Sequence, residues 1–397
     1  MSLLYTLKAL DCARYEPLVG LVFPSVNLKA FYEDAGFQVY DCSGLPVFRH
    51  TTACWGRFSS PIALRAFLLG LRGWLNRKRR LASLIEKIRP DLIHLNSSIL
   101  APLAQDLMET RFPFVWHVRE SPVSGYFGFR YRWMRRLLQS AEDRVIFISN
   151  ADRRAWVGDS NGSVVRNFVD FKAFDAEHES SDIEDAKNQL SEHPERATVL
   201  YLGGFADIKG IFPLLRALSK LRDLGLAVNC ICPGMLQSPI DSLSRGWIRK
   251  IATRLGFLSC SERSEQMIRD FGIESCLVRL PFSKEIPQLL RLSDCLVFPS
   301  IEPHFARPVI EAQVLGIPVV ASKIDGVSEL VENSGSGLLV EPADAEALVE
   351  GIRLALAEKE KNPESFEITR RYARREYDGQ LQILKIQAIY DSILEIK

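Results

Sequence analysis

The chain has 397 residues, of which 47% are hydrophobic and 25% charged, with a formal net charge of +1. That length exceeds one ordinary core and fits two domains, with the composition of a soluble globular protein. A charge so near zero argues against nucleic acid as the main partner. The six histidines, at 50, 94, 117, 178, 193 and 304, show no metal-ligand spacing.

Residues 2 to 14 read as a helix, with Leu3, Leu4, Leu7 and Leu10 at helical spacing. A strand follows at 17 to 23, then a helix around 27 to 35 and a strand at 37 to 42. A long helical region, 61 to 88, ends at Pro90. Strands come next at 91 to 98, 114 to 118 and 145 to 150, and this alternation with helices predicts a doubly wound sheet. The acidic, polar stretch 171 to 196 reads as a linker with a short helix. A second run of alternation opens at 198 to 205 and continues through AVNCICPG, SCLVRL, DCLVFPS, PVVAS and GLLVEP. A helix from 378 to 396 closes the chain. The expected domains are therefore 1–175, completed by 378–397, and 197–377, joined by a linker at 176–196.

Cys230 and Cys232 form the only close cysteine pair and lie in a β-like run, so they read as buried strand residues and not as a zinc or redox site. Eight scattered cysteines fit a reducing compartment. No apolar run approaches the ~18 to 20 residues of a membrane span. The start, MSLLYTLKALDCAR, lacks a basic n-region and a cleavage pattern. A cytoplasmic location, with possible peripheral attachment to the inner face of the membrane, is the expectation.

Residues 293 to 342 carry most of the functional signal. The segment reads as a strand ending at Pro299-Ser300, a turn holding Glu302, and a helix from about Pro308 with Glu311 in its first turn. A strand at 317 to 321 and a helix opening at Gly326 follow. Ligands on parallel sheets bind beyond the carboxyl ends of the strands, where both glutamates fall. Backbone N–H groups at the loop-to-helix junction favour an anion such as phosphate.

This segment resembles the donor-binding region of retaining glycosyltransferases of family 4 (glycosyl transferases group 1), which have the GT-B fold. The matching residues are Pro299-Ser300, Glu302, Glu311-Ala312, Gly316, Pro318-Val319-Val320, Gly326, Glu329 and Gly337-Leu338-Leu339-Val340. The two glutamates are separated by eight residues where the family has seven, so the family's first Glu would fall on Pro303. Phe305 occupies the family's Phe position, and Ala306 replaces its usual Gly. The resemblance implies two Rossmann-like doubly wound parallel-sheet domains facing a central cleft, with the last helix crossing back to the first domain. It also implies that the family's first strand and Gly-rich loop have no counterpart ahead of residue 2.

The implied reaction moves a sugar from a nucleoside-diphosphate sugar to a glycan or lipid-linked acceptor, retaining configuration and using no cofactor or metal. Within GGFADIKG, Gly203, Gly204 and Lys209 would lie at the donor, with Lys209 a point charge for the leaving diphosphate. A solvated lysine at a helix start is the plain alternative, and Gly204 stands where many members have Arg. The same run does not fit G-x-G-x-x-G, which excludes an NAD loop. The resemblance gives Glu311 to the nucleotide ribose and Glu302, or the backbone of 303 to 307, to donor-sugar hydroxyls; Phe305, Ala306 and Arg307 would complete the donor site. His304 could fill space or touch the sugar. His117, in the Trp-His-x-Arg-Glu run at 116 to 120, would sit over the donor's anomeric region. Asn96 and Ser97 are acceptor candidates, and Arg166-Asn167-Phe168-Val169-Asp170 resembles a structural turn of the family.

Two basic-aromatic stretches, 72–80 and 127–136, read as solvated helix faces or as contacts with an anionic membrane, with Trp74, Phe129, Tyr131 and Trp133 at the interface. Two other readings stay open: a sugar-nucleotide epimerase of the same fold, and a non-catalytic nucleotide-sugar-binding subunit.

Overall fold

The computed structural model describes residues 2–48, 74–122, 126–158, 162–169, 171–176, 180–236, 258–303 and 306–395. Residues 61–73, Asp170, His304 and Phe305, which figure in the sequence reading, lie outside them. The chain divides into two compact units, Met1–Phe168 with Gly379–Lys397, and Val169–Asp378.

The first unit opens with the helix Ser2–Ala9, followed by β1 (Leu18–Leu21), the helix Val26–Glu33 and β2 (Gln38–Asp41). Ser25 caps that second helix, its hydroxyl accepting from Leu28 N at 3.1 Å. The helix Arg77–Ile88 then leads to β3 (Ile93–Leu95), β4 (Phe114–Val118), β5 (Val145–Phe147) and β6 (Ser163–Val164). As expected of an α/β unit, the strands are parallel; among the described residues they form two sheets, β1-β2 and β3-β4-β5-β6. In the second unit the unit's own first strand is the central one and pairs on both sides; here no described strand stands between β1 and β3.

Strand β4 is buried along its whole length, as a parallel strand covered on both faces must be. Its alternate residues go to opposite sides. Phe114, Trp116 and Val118 pack with Leu103 and Leu107 of the helix Ala101–Thr110 and with Met134 and Leu138 of the helix Phe129–Ser140. Val115 meets Ile383, Ile386 and Tyr390 of the helix Gly379–Glu395. Each such fully buried side chain contributes roughly 1.5–3 kcal/mol. The last helix thus returns to the first unit, as the fold class required.

The second unit holds β7 (Thr198–Leu200), β8 (Asn229–Pro233), β9 (Leu277–Leu280), β10 (Cys295–Phe298), β11 (Val319–Ser322) and β12 (Leu338–Val340). They form one parallel sheet in the order β12-β11-β10-β7-β8-β9. The direction of winding reverses between β7 and β10, and a doubly wound sheet binds its ligand at the carboxyl side of that reversal. The helices Ile211–Asp223 and Ala345–Lys361 cover one face. Gly351 permits the close approach, since a Cβ there would stand 2.8 Å from Val320 Cγ1.

The stretch 176–196 carries the helix Ser181–Leu190 and belongs to the second unit. Gln189 extends the pairing of edge strand β9, its Oε1 accepting from Arg279 N at 3.2 Å. Cys230 and Cys232 are both buried in β8 with their sulfurs 3.5 Å apart. No helix among the described residues is long and apolar enough to cross a membrane.

Candidate functional site

Two loops leave the sheet of the second unit at its switch point. The first runs from β7 through Gly203 and Gly204 to the single turn Asp207–Lys209, and then into the helix Ile211–Asp223. The second runs from β10 through Pro299, Ser300 and Glu302 to the helix Arg307–Leu315. They are tied together: Ser300 Oγ donates to Ile208 O at 3.0 Å, and Ile301 N donates to the same oxygen at 2.9 Å.

The glycines make this possible. Gly210 adopts φ +79°, and a Cβ there would stand 1.9 Å from Pro299 O. A Cβ on Gly203 would lie 2.2 Å from the Tyr201 hydroxyl and 2.7 Å from Lys209 Cβ. Gly203, Gly204 and Lys209 are thus one loop folded over the buried Tyr201 ring.

Lys209 is partly buried, its Nζ 5.9 Å from the centre of the Phe298 ring. Burial lowers its pKa, while the negative charge of Glu302 pulls it back up. That influence places Glu302 within electrostatic reach of Lys209. Ala306, 1% exposed, is the N-cap of the helix Arg307–Leu315, with Pro308 in the first turn.

Glu311 is not in that first turn. The helix begins at Arg307, so Glu311 is its fifth residue, beyond the reach of the terminal dipole. The residue is 8% exposed and its carboxylate is held by Arg307 instead, Nε to Oε1 at 2.9 Å. Burial raises the Glu311 pKa, and the Arg307 guanidinium opposes the rise. The two are four positions apart on the helix, the spacing at which side chains meet.

A second group of candidates lies in the first unit. His117, 2% exposed, sits in β4 one residue before its end. Arg119 follows, its Nε donating to Asn96 Oδ1 at 2.7 Å and its Nη1 to Asn167 Oδ1 at 2.8 Å. Arg119 Nη2 is 3.4 Å from His117 Nδ1. Burial, and then the positive charge of Arg119, hold the His117 pKa well below its ordinary value, so the ring is neutral. Its buried Nε2 has no hydrogen-bond partner among the described residues, and an unmet buried polar group costs about 1–3 kcal/mol. His94, 5.4 Å away ring to ring, is pushed down to about 3 by burial.

Asn96 therefore orients an arginine. Ser97 donates to Glu120 Oε1 at 2.5 Å and caps the turn Ser98–Leu100 through Ile99 N at 3.2 Å. Asn167, read from sequence as part of a structural turn, is the residue that reasoning missed. Its partner is 48 positions away, and no local pattern announces the pairing. Phe305 and His304 cannot be placed, since they lie outside the described residues.

The basic-aromatic stretches divide. Trp74, Leu75, Phe127 and Phe129 are 44%, 76%, 84% and 66% exposed. The Arg77 guanidinium lies 3.9 Å from the Trp74 ring, and that of Arg132 4.9 Å from Phe129. Tyr131 and Trp133, expected at an interface, turn inward. Tyr131 Oη donates to Ala155 O at 2.7 Å, and the Trp133 ring is 4.6 Å from Phe48. Their helical spacing from the buried Met134, Leu137 and Leu138 puts them on the core face.

Comparison with known proteins agrees with this arrangement. The family model for glycosyl transferases group 1 matches residues 182–375, and that for a glycosyl transferase 4-like domain matches residues 21–165. Lipopolysaccharide 1,2-N-acetylglucosaminetransferase of Salmonella typhimurium is 26% identical over 178 residues, 44% of this chain and 43% of that protein. TuaC of Bacillus subtilis, a glycosyltransferase named for teichuronic acid biosynthesis, is 24% identical over 292 residues, 70% of this chain and 66% of that protein. The chain thus spans less than two thirds of these relatives. Among solved structures, Anabaena HepE in complex with UDP superposes with TM-score 0.73 at 22% identity, covering 98% of this chain and 95% of that one. A glycosyltransferase from Rickettsia africae gives 0.72 at 18%, covering 100% and 95%. The chain belongs to the glycosyl transferases group 1 family and has the GT-B fold.

Proposed function

We propose that this protein transfers a sugar from a nucleoside-diphosphate sugar to a glycan or lipid-linked acceptor, with retention at the anomeric carbon, in the assembly of bacterial cell-surface polysaccharide. The observation that carries this reading is the grouping of Lys209 and Glu302 on two loops bound to each other at the switch point of one sheet, with the Arg307-held Glu311 in the helix that the second loop enters. HepE, a relative in fold, has been crystallised with UDP and with UDP-glucose, which favours a uridine donor. The names of the Salmonella and Bacillus relatives favour surface polysaccharide.

In this reading Glu311 accepts from the ribose hydroxyls, and Glu302 with the following backbone accepts from the sugar. Lys209 takes up the charge that develops on the leaving diphosphate, the kind of contact that is usually the largest catalytic contribution. The acceptor oxygen bonds to the anomeric carbon on the face the diphosphate leaves. The bond to the diphosphate oxygen breaks, and that oxygen receives the acceptor's proton. No cofactor or metal enters the reaction. The exposed Trp74, Leu75, Phe127 and Phe129, with their arginines, favour docking on an anionic membrane, where a lipid-linked acceptor would be met.

One observation favours a second reading, a nucleotide-sugar-binding subunit without transfer activity: the described strands of the first unit fall in two sheets. Incubation with UDP-sugars and an extract of lipid-linked glycans separates the two. Sugar incorporation supports the transferase; UDP-sugar binding without incorporation supports the subunit.

A further inference from the structure

The helix Arg307–Leu315 carries an ion pair between its first and fifth residues, Arg307 Nε donating to Glu311 Oε1 at 2.9 Å. For the helix this pair stands in the unfavourable order. A cation in the first turn faces the positive end of the helix dipole, and a pair four positions apart stabilises a helix better when the acid comes first. The pair is also largely withdrawn from water, its side chains 19% and 11% exposed. At such burial the loss of hydration offsets much of the attraction between the charges. Helix stability therefore does not account for an arginine at position 307; its effect on Glu311 does.

Burial raises the Glu311 pKa, and Arg307 opposes the rise through its charge and its hydrogen bond. Among the described residues no other charge acts on Glu311 in this way. Arg291, Glu329, Glu332, Arg370 and Arg374 lie on the three other helices packed against this one, and none of them exerts such an influence. Neither do Lys209 and Glu302 on the two loops. The bond occupies one oxygen of the carboxylate. Oε2 makes no hydrogen bond among the described residues, so Glu311 keeps acceptor capacity for a ligand. A guanidinium donates within its own plane, so the contact restrains the orientation of the carboxylate as well as its charge.

We propose that Arg307 is a positioning residue of the nucleotide site, holding Oε1 of Glu311 so that Oε2 is turned to the ribose hydroxyls. This rests on the reading of Glu311 as the ribose contact. The same bond keeps the carboxyl ionised at a lower pH than burial alone would allow. An ionised carboxylate only accepts, which suits two neighbouring hydroxyl donors. Loss of Arg307 therefore acts on ribose recognition, through Glu311, without removing a contact to the diphosphate.

The test is calorimetric titration of the full chain with UDP and with its dideoxyribose analogue, across pH. It compares the unaltered chain, Arg307→Met, Glu311→Gln and the double variant. Arg307→Met should weaken UDP binding about tenfold at neutral pH and bring the two nucleotides near parity. The fall in UDP affinity on acidification should move to higher pH, since the charge that opposed protonation of Glu311 is gone. A merely structural role would not move that profile. In the Glu311→Gln background, Arg307→Met should cause no further loss of affinity. That background holds no unpaired buried carboxylate, so it gives a reading even if Arg307→Met alone fails to fold. An Arg307→Met variant with the affinity and pH profile of the unaltered chain overturns the proposal. So does a further tenfold loss in the Glu311→Gln background, which would make Arg307 a contact in its own right. UDP that fails to bind the unaltered chain contradicts the site reading and the proposal with it. UDP binding that needs Glu311 and is indifferent to Arg307 contradicts the proposal alone.

Discussion

Gly210 lies directly against Pro299: a Cβ at 210 would stand 1.9 Å from the Pro299 carbonyl oxygen. The contact joins the two loops that hold Lys209 and Glu302, and it fixes their separation through backbone, which cannot swing aside. Gly210 also needs φ +79°, where a side chain is strained. Gly210→Ala should therefore lose about 2–4 kcal/mol of stability, measured by urea denaturation. UDP affinity should fall with it. An unchanged midpoint would mean that the loops are not so closely coupled.

Lys209 gives a pH signature. Burial lowers its pKa below that of an ordinary lysine, so its neutral fraction grows at a lower pH than 10.5. A bound diphosphate favours the charged form and raises the pKa again. UDP binding in alkaline solution should then take up protons, and affinity should fall as pH rises toward the depressed pKa. Calorimetry in buffers of different ionisation enthalpy reads that uptake. In Lys209→Met it should vanish, and UDP affinity should drop by about tenfold or more.

The Arg307–Glu311 pair sets a trend in stability. The folded-state pKa of Glu311 is raised by burial above its unfolded value, so its contribution is fully present below the unfolded pKa and is lost as pH rises through the folded pKa. Glu311→Gln should flatten that segment of the stability profile. At neutral pH its net effect should be small, because relief of carboxylate burial offsets loss of the Arg307 contact. Urea midpoints from pH 4 upward check the slope.

Much of the second unit was legible. The apolar runs ending at Leu202 and Phe298 are short and are followed by Gly-Gly and Pro-Ser, so strand, loop and helix could be read in turn. What local pattern could not supply was pairing across distance. Asn167 meets Arg119 only because β6 and β4 end on the same side of the sheet. The placement of Glu311 failed for another reason. Taking Pro308 as the start of the helix moved the carboxylate toward the terminus, whereas the helix starts at Arg307 and the side chain is fixed one turn along. Tyr131 and Trp133 were assigned by composition when the period of the buried Met134, Leu137 and Leu138 already pointed inward.

Phe127 and Phe129 test the membrane contact. Both are largely exposed, and Arg132 lies across the Phe129 ring. Binding to vesicles of phosphatidylcholine and phosphatidylglycerol should be salt-sensitive and should weaken about tenfold when both are changed to Ser. UDP affinity should be unaltered, since neither residue lies in the second unit. Equal binding by the double variant would remove this surface from the account.

The central claim is that the second unit holds a nucleotide-sugar site built on Glu311 and Lys209. Its most direct test is calorimetric titration of the purified chain with UDP, GDP and their sugars, beside Glu311→Ala. The account predicts saturable binding of UDP that is lost in the variant while the variant remains folded. Binding of neither nucleotide, or UDP binding that survives Glu311→Ala unchanged, would contradict it.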